Sequence, residues 1–178
     1  MTAQISITED QLVDDLGAFA DTLVDCEVVR GQVNRVPTPI GSEYVIVTPM
    51  GLVGLSTPRT NYDDPTPTTG TRTFTRPTQW AAQIDCYGER AQDAALVLSI
   101  ALRSQYGCEF LAELGRAQPL YCGEPKQLPF ITGENQYTER WSFDAVLQFN
   151  PTVTLPQQFA AQLHVDLIEV DTTFPPGA

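Results

Sequence analysis

A reaction centre would have to be assembled from few parts in this chain. His164 is the only histidine, so any Ser-His-Asp or Cys-His relay must run through it. It stands in the β-rich run LHVDLIEV, between Leu163 and Val165, where an ordinary strand histidine outweighs a catalytic base. Cys26, Cys86, Cys108 and Cys122 include no pair at a metal-finger spacing, so a zinc site has almost no raw material. Asp63 and Asp64 with Asn61 resemble a loose calcium cluster, but the glycine and the closing glutamate of an EF-hand loop are missing. They read as turn chemistry. Gly51-Leu-Val-Gly54 is too short for a phosphate loop and no lysine follows it. Carboxylates are plentiful enough for a general acid–base pair, yet nothing organises one. Arg72-Thr-Phe74-Thr-Arg76 alternates basic and aromatic residues. One such patch argues no better for single-stranded nucleic acid than for a protein contact. The chain therefore reads as a building block rather than an enzyme, with no cofactor and no metal.

The elements that carry these residues follow from periodicity. Thr8 to Asp25 reads as a helix, with Leu12, Leu16, Phe19, Ala20 and Leu23 on one face. Thr8 and Gln11 fit a capping box, and Asp14, Asp15, Asp21 and Asp25 are expected on the other faces. Glu27–Val36 reads as extended. Glu43–Thr48 is a β-branched strand that continues through Gly51–Ser56 past a bend at Pro49. Thr78–Tyr87 alternates, with Trp80, Ala82, Ile84 and Cys86 on one side. A second helix is expected from Glu89 to Tyr106, with Ala91, Ala94, Ala95, Leu98 and Leu102 as its stripe and Gly107 as its left-handed cap. Glu109–Leu114 reads as a short helical turn closed by Gly115.

The strongest signal is period two from Tyr137 to Phe149. One face carries Trp141, Phe143, Ala145, Leu147 and Phe149, and the other carries Arg140, Ser142, Asp144, Val146 and Gln148. Beyond Pro156 a helical turn through Phe159 and Ala161 and a strand at Leu163–Val170 are expected. Residues 57–77 differ from everything around them: four prolines, eight threonines, Arg59, Arg72 and Arg76. A structureless loop of that length is uncommon, and the flanks are strand-like, so a long β-hairpin arm is expected there, with a floppy insertion as the alternative. The sum is a single α+β domain over residues 1–178 with a C-terminal tail at 172–178. Its sheet is mixed and mainly antiparallel, and two main helices pack on one face.

The formal net charge is −12, from 22 acidic and 10 basic residues. Lys126 is the only lysine; the other basic residues are arginines. Arginine suits planar, hydrogen-bonded ion pairs. Scattered arginines on an acidic chain do not make a phosphate-gripping surface. No apolar run approaches the roughly 20 residues that span a bilayer. The acidic amino terminus does not read as an export signal, so reduced thiols in a chain made in a cytoplasm are expected.

Several ordered blocks carry a resemblance: VVRGQVNRVPTP (Val28–Pro39), QIDCYGERAQDAA (Gln83–Ala95), YGCEFLAELG (Tyr106–Gly115), QPLYCGEPKQLPFITGENQYTERW (Gln118–Trp141), QFNPTVTLPQQFA (Gln148–Ala160) and VDLIEVDTTFPP (Val165–Pro176). Together they resemble the tailed-bacteriophage neck or tail terminators. The resemblance implies a ring of six copies in the virion that caps the tail tube and joins it to the connector or head-completion protein. It also implies that DNA crosses the lumen unbound, that no membrane is involved, and that assembly takes place in the bacterial cytoplasm. It implies no catalytic residues. Arg59, Arg72, Arg76, Arg140 and Asp144 are the positions expected to meet a neighbouring subunit or partner. The competing readings are another neck component, such as a connector or tube protein, and a small carboxylate-dependent enzyme.

Overall fold

The computed structural model describes residues 3–34, 39, 41–66, 69–131, 137–158 and 165. The chain opens with β1 (Gln4–Ile5), α1 (Glu9–Asp21), β2 (Glu27–Arg30) and β3 (Tyr44–Gly54). A hairpin of β4 (Arg59–Asp63) and β5 (Thr71–Thr75) comes next, then β6 (Thr78–Tyr87). After it stand α2 (Ala91–Leu102), α3 (Gln105–Leu114), β7 (Ala117–Cys122), β8 (Lys126–Gln127) and β9 (Phe130–Ile131). The last elements are β10 (Tyr137–Thr138), β11 (Arg140–Phe149) and β12 (Thr152–Pro156).

The main sheet runs β2-β3-β6-β11-β7, and β8 also pairs with β11. Among the described residues only its β2–β3 pairing is parallel. β6 and β11 pair over their full lengths, from Thr78 opposite Phe149 to Tyr87 opposite Arg140. Directly opposite residues share a face, so Val47, Ile84 and Phe143 form one row and Val45, Cys86 and Trp141 the next. This apolar face lies under the helices. Ala82 faces Ala145 across the strands, and both are fully buried with Ala91 and Ala95 of α2. Small side chains on both surfaces let the helix lie close to the sheet.

α1 begins as the sequence indicates. The Gln11 amide donates to Thr8 Oγ1, and the Thr8 amide donates to Gln11 Oε1 at 2.9 Å, a complete capping box. Its Leu12, Leu16, Phe19 and Ala20 are buried. It stops at Asp21 rather than Asp25. β2 is shorter than the extended run read from the sequence. It ends at Arg30, after which the Gly31 amide donates to Val47 O at 2.8 Å and Gln32 adopts a φ of 58°.

The second helix is the larger correction. It ends at Leu102, and a separate ten-residue α3 begins after Ser104. Gly107 lies inside α3, buried, and is no left-handed cap; Gly115 takes that conformation, with φ 72°. Gly107 is needed because the two helices meet there. A Cβ would stand 2.7 Å from Ala101 O and 2.8 Å from Leu102 O. Ser104 makes the break with an extended backbone, and its hydroxyl donates to Ala101 O at 2.7 Å.

The thirteen-residue alternation also divides. Tyr137 and Thr138 leave the main sheet and pair with Ile131 and Phe130. The cause is β6, which has no partner to offer beyond Tyr87. At Gly88 the chain turns toward α2 with φ 108°, and the Gly88 amide donates to Glu139 O at 3.1 Å. The strand and helical turn expected at Leu163–Val170 and Phe159–Ala161 lie outside the described residues, apart from Val165. The tail at 172–178 lies wholly outside them.

A second sheet, all antiparallel, runs β1-β12-β5-β4. The hairpin expected at 57–77 is therefore present as β4–β5, flanked by two short strands that sequence pattern did not indicate. β5 and β12 prolong the β6–β11 ribbon. Thr75 pairs with Thr152, Thr78 pairs with Phe149, and Arg76-Pro77 and Asn150-Pro151 intervene. Proline has no amide to donate, so the ladder breaks there, and the Arg76 amide donates to Pro151 O across the gap.

Replacing Gly107 with alanine tests the helix junction. Alanine favours a helix interior by about 1 kcal/mol over glycine, whereas a Cβ pressed on backbone atoms costs about 1–3 kcal/mol. Gly107→Ala is expected to lower the thermal midpoint. A midpoint that rises would show that the helices have room to part.

Candidate functional site

None of the residues that invite a catalytic reading is set up for one among the described residues. His164 lies outside them. Burial pushes the Cys86 thiol up to about 12 and the Cys122 thiol up to about 11, and burial also raises Cys26. A thiol must ionise to act as a nucleophile or ligand. Cys108 is exposed. Asn61 and Asp63 are ladder residues of β4, opposite Thr73 and Thr71. Gly51 and Gly54 are in strand β3. No group of three or more metal-ligating side chains is present among the described residues.

A cleft of about 310 Å³ lies beside α2, with Cys26, Glu43, Tyr87, Arg90, Asp93 and Val97 among its lining residues. Its Glu43 carboxylate is held by Arg90, whose Nε stands 3.1 Å from both oxygens and whose Nη2 is 2.5 Å from Oε2. The hydrogen bond from Arg90 is the main cause that holds the Glu43 carboxyl below its ordinary range. A carboxylate fixed in this way is a poor proton donor near neutrality.

The arginines have a consistent structural use. Arg30, at the end of β2, bonds Glu9 at 2.8 Å and also Asp10, both in the first turn of α1. Arg90 ties the start of α2 to Glu43, just before β3. Arg103 stands just past α2; it donates to Cys122 O at 3.0 Å and to Glu124 at 2.7 Å. Arg116, before β7, clasps Asp15 of α1 through Nε at 2.8 Å and through Nη2. Asp15 is 2% exposed, contrary to the expectation of a surface acid. A buried carboxylate requires such a partner.

Arg140 belongs to the same set. It opens β11 and reaches across to Asp85 of β6, at 3.1 Å from Nε and 3.0 Å from Nη2. Gln83 donates to the same carboxylate at 3.0 Å and to Ser142 Oγ at 2.8 Å. The guanidinium also sits 5.7 Å from the Tyr87 ring centroid, and that ring stacks on Tyr44. Asp144 is exposed on the sheet face that the helices leave open. The structure thus sets Arg140 in an intrachain cluster and Asp144 apart from the hairpin.

Arg59, Arg72 and Arg76 do gather around the second sheet. Arg59 is opposite Thr75 and Arg72 is opposite Tyr62, so by strand alternation they occupy opposite faces. The Arg72 guanidinium lies 4.5 Å from the Phe74 ring centroid and 5.4 Å from that of Tyr62. Arg76 donates to Ser56 O at 3.2 Å. Its guanidinium covers Gly54, where a Cβ would collide with it. Among the described residues none of the three forms an ion pair with a carboxylate.

Two exposed apolar surfaces were missed in the sequence. α2 has a second stripe, Leu96, Val97 and Ile100, opposite the one against the sheet; Ile100 is 60% exposed. A helix apolar all round signals cover on both sides, and AQDAALVLSIAL carried that signal. The other surface is the Tyr62, Arg72 and Phe74 face of the second sheet. Neighbouring strands complete it with Leu155, Val153 and Ile5. Its sequence signal depended on strand partners that lie far apart in the chain.

A family model described as phage neck terminator protein matches residues 10–177. No curated protein matches the chain.

Two measurements test this geometry. At pH 8 a disulfide reagent is expected to label Cys108 promptly, and Cys86 and Cys122 only after unfolding. With thiols near 11 or 12, about one in a thousand or fewer is ionised at that pH. A raised thiol favours the fold below the unfolded value of about 8.5, and that contribution fades as pH climbs toward the folded values. Prompt labelling of all four thiols would contradict the burial. Separately, Arg140→Met leaves Asp85 buried without its cation and is expected to cost about 2–3 kcal/mol in denaturant melts. A loss under about 0.5 kcal/mol, the range of an exposed pair, would refute the structural role.

Proposed function

Because the chain belongs to the phage neck terminator family, a family of structural proteins, we propose that it closes into a ring of six copies in the virion neck. The ring sits on the tail tube, ends its growth and joins it to the connector or head-completion protein. DNA crosses the lumen without being held. The match across residues 10–177 carries this reading.

The electrostatics support passage of DNA. Each copy carries a formal charge of −12, so six copies carry 6 × −12 = −72. Five arginines are occupied by carboxylates of their own chain, which leaves few cations to grip phosphates. Screening limits the repulsion to about 8 Å at physiological salt, the range over which a lumen wall acts on DNA close to it. A closed head-to-tail ring also requires two different contact faces per copy, and this chain offers two exposed apolar surfaces on different elements.

Light scattering of the purified protein and negative-stain images, alone and with tail tubes, test the assembly. Six-membered rings seated on tube ends are expected. A protein that stays monomeric and joins no tails would end the proposal, and neck density in another layer would reassign it. Deleting Arg59–Gly70 removes β4 and its turn, which contribute nothing to the buried core. The shortened chain is expected to keep its circular dichroism and melting point within a few degrees, and to lose the joining of heads to tails. Unfolding of the shortened chain would show that the hairpin is structural.

A further inference from the structure

Four short stretches join the second sheet to the rest of the described chain: residues 6–8 between β1 and α1, 55–58 between β3 and β4, 76–77 between β5 and β6, and 150–151 between β11 and β12. Three of them contain a proline, Pro58, Pro77 or Pro151, which has no amide to carry a ladder across. No side chain of the second sheet enters the buried core, and its strands make their principal contacts with one another. The Ser6 amide donates to Thr152 O, and the Thr152 amide donates to Ser6 Oγ. Both bonds stay within the second sheet and do not anchor it to the helices. A band of irregular chain between two paired sheets has the form of a hinge.

Arg76 stands at the centre of this band. Its amide donates to Pro151 O at 3.2 Å, and its carbonyl accepts from the Thr78 hydroxyl at 2.9 Å. Its Nε donates to Ser56 O at 3.2 Å. Its guanidinium lies on Gly54, the last residue of β3, in the place a Cβ would take. One residue therefore ties three of the four stretches together. Gly54 is not required by its own backbone, because its φ is not positive. Its bareness makes a seat for the guanidinium. Gly51, on the same strand, has nothing within 4 Å of where a Cβ would stand. The backbone bonds hold Arg76 in the band, and only its side chain reaches β3. Arg76 is exposed and has no carboxylate partner among the described residues. One bond to a neutral carbonyl changes a population by about fivefold, so this contact can open while the sheets stay folded.

We propose that Arg76 is a latch. Seated on Gly54 and Ser56, it holds the second sheet at one angle to the main sheet. Lifted off, it lets the second sheet turn as an arm about the proline-containing stretches. β4 and β5 are five residues long, about 17 Å at the rise of a strand, so a small turn at the hinge is magnified at the tip. The device belongs to a single copy and does not depend on how many copies assemble.

The test uses the full chain and reads both hinge and arm. Hydrogen exchange at the amides of residues 55 and 76, which donate to Pro77 O and Pro151 O, reports the hinge. The arm is read as the dipolar distance between spin labels on Cys108 and on Asn61→Cys, both exposed positions. The labelled chain carries Cys26→Ser and is diluted with unlabelled chain, so that each distance comes from one copy. Wild type is expected to give one narrow distance. Arg76→Ala removes the latch, and Gly54→Ala keeps the arginine but fills its seat. Each is expected to speed exchange at both amides about fivefold, the worth of one hydrogen bond, and to broaden the distance. Exchange within β6 and β11 is expected to stay unchanged. The double variant is expected to go no further than either single one, because both open the same latch. Gly51→Ala is expected to behave as wild type. If Arg76→Ala does not fold, Arg76→Met replaces it with the same expectations. Unchanged exchange and distance in either latch variant would overturn the proposal. Exchange that rises equally within β6 and β11 would also overturn it, since Arg76 would then support the whole fold. A wild-type distance as broad as that of the variants would show that nothing is latched.

Discussion

Ten consecutive residue pairs join β6 to β11, from Thr78 opposite Phe149 to Tyr87 opposite Arg140. Alternate residues of both strands turn to one side, so a single register fixes which side chains the helices cover. A slip of β11 by one residue against β6 would put Ser142 and Asp144 under the helices and Phe143 and Leu147 in water. That penalty makes the register hard to displace. The two ends of the ribbon then set the course of the neighbouring chain. At one end β6 turns away at Gly88, which launches α2 and releases β10 from the sheet. At the other end two prolines interrupt the ladder, and the same two chains continue as β5 and β12 in the second sheet.

Electrostatics complete what the register begins. Helices resting on a sheet by apolar contact can slide, and directional bonds from arginine limit that freedom. Arg30 and Arg116 fix α1 at its start and in its middle. Arg90 and Arg103 fix the two ends of α2. Arg140 closes the β6–β11 ribbon on its open face. The exposed pairs contribute little each; Asp15 and Asp85 matter more because both are buried. Using arginines internally also leaves the acidic excess of the chain without matching cations.

Much of this was legible in the residues. The Thr8–Gln11 box and the Trp80-Ala82-Ile84-Cys86 face stand where local pattern put them, and at Pro49, where a bend was expected, β3 runs on through a register shift against β6. The α2–α3 break was not legible, because Arg103-Ser104 interrupts no apolar period and the short contact at Gly107 is made by another helix. β1 and β12 were missed for a related reason: two to five residues show no convincing alternation until a partner strand is present. The residues expected to meet a partner divided along the same line. The ring contacts of Arg72 are with Tyr62 and Phe74 of its own hairpin, whereas the place of Arg140 was decided by Asp85, fifty-five residues away.

Local pattern was enough to set the class of the protein, its strands and helices, its acidity and its shortage of catalytic parts, since periodicity and composition are properties of short stretches of chain. The packed fold was needed to choose which arginine meets which carboxylate, to bury Asp15, and to place the hairpin in a sheet outside the core. Ion pairs and strand edges join residues distant along the chain. Their partners are chosen by where the β6–β11 register and the packed helices place them, and no local pattern encodes that distance.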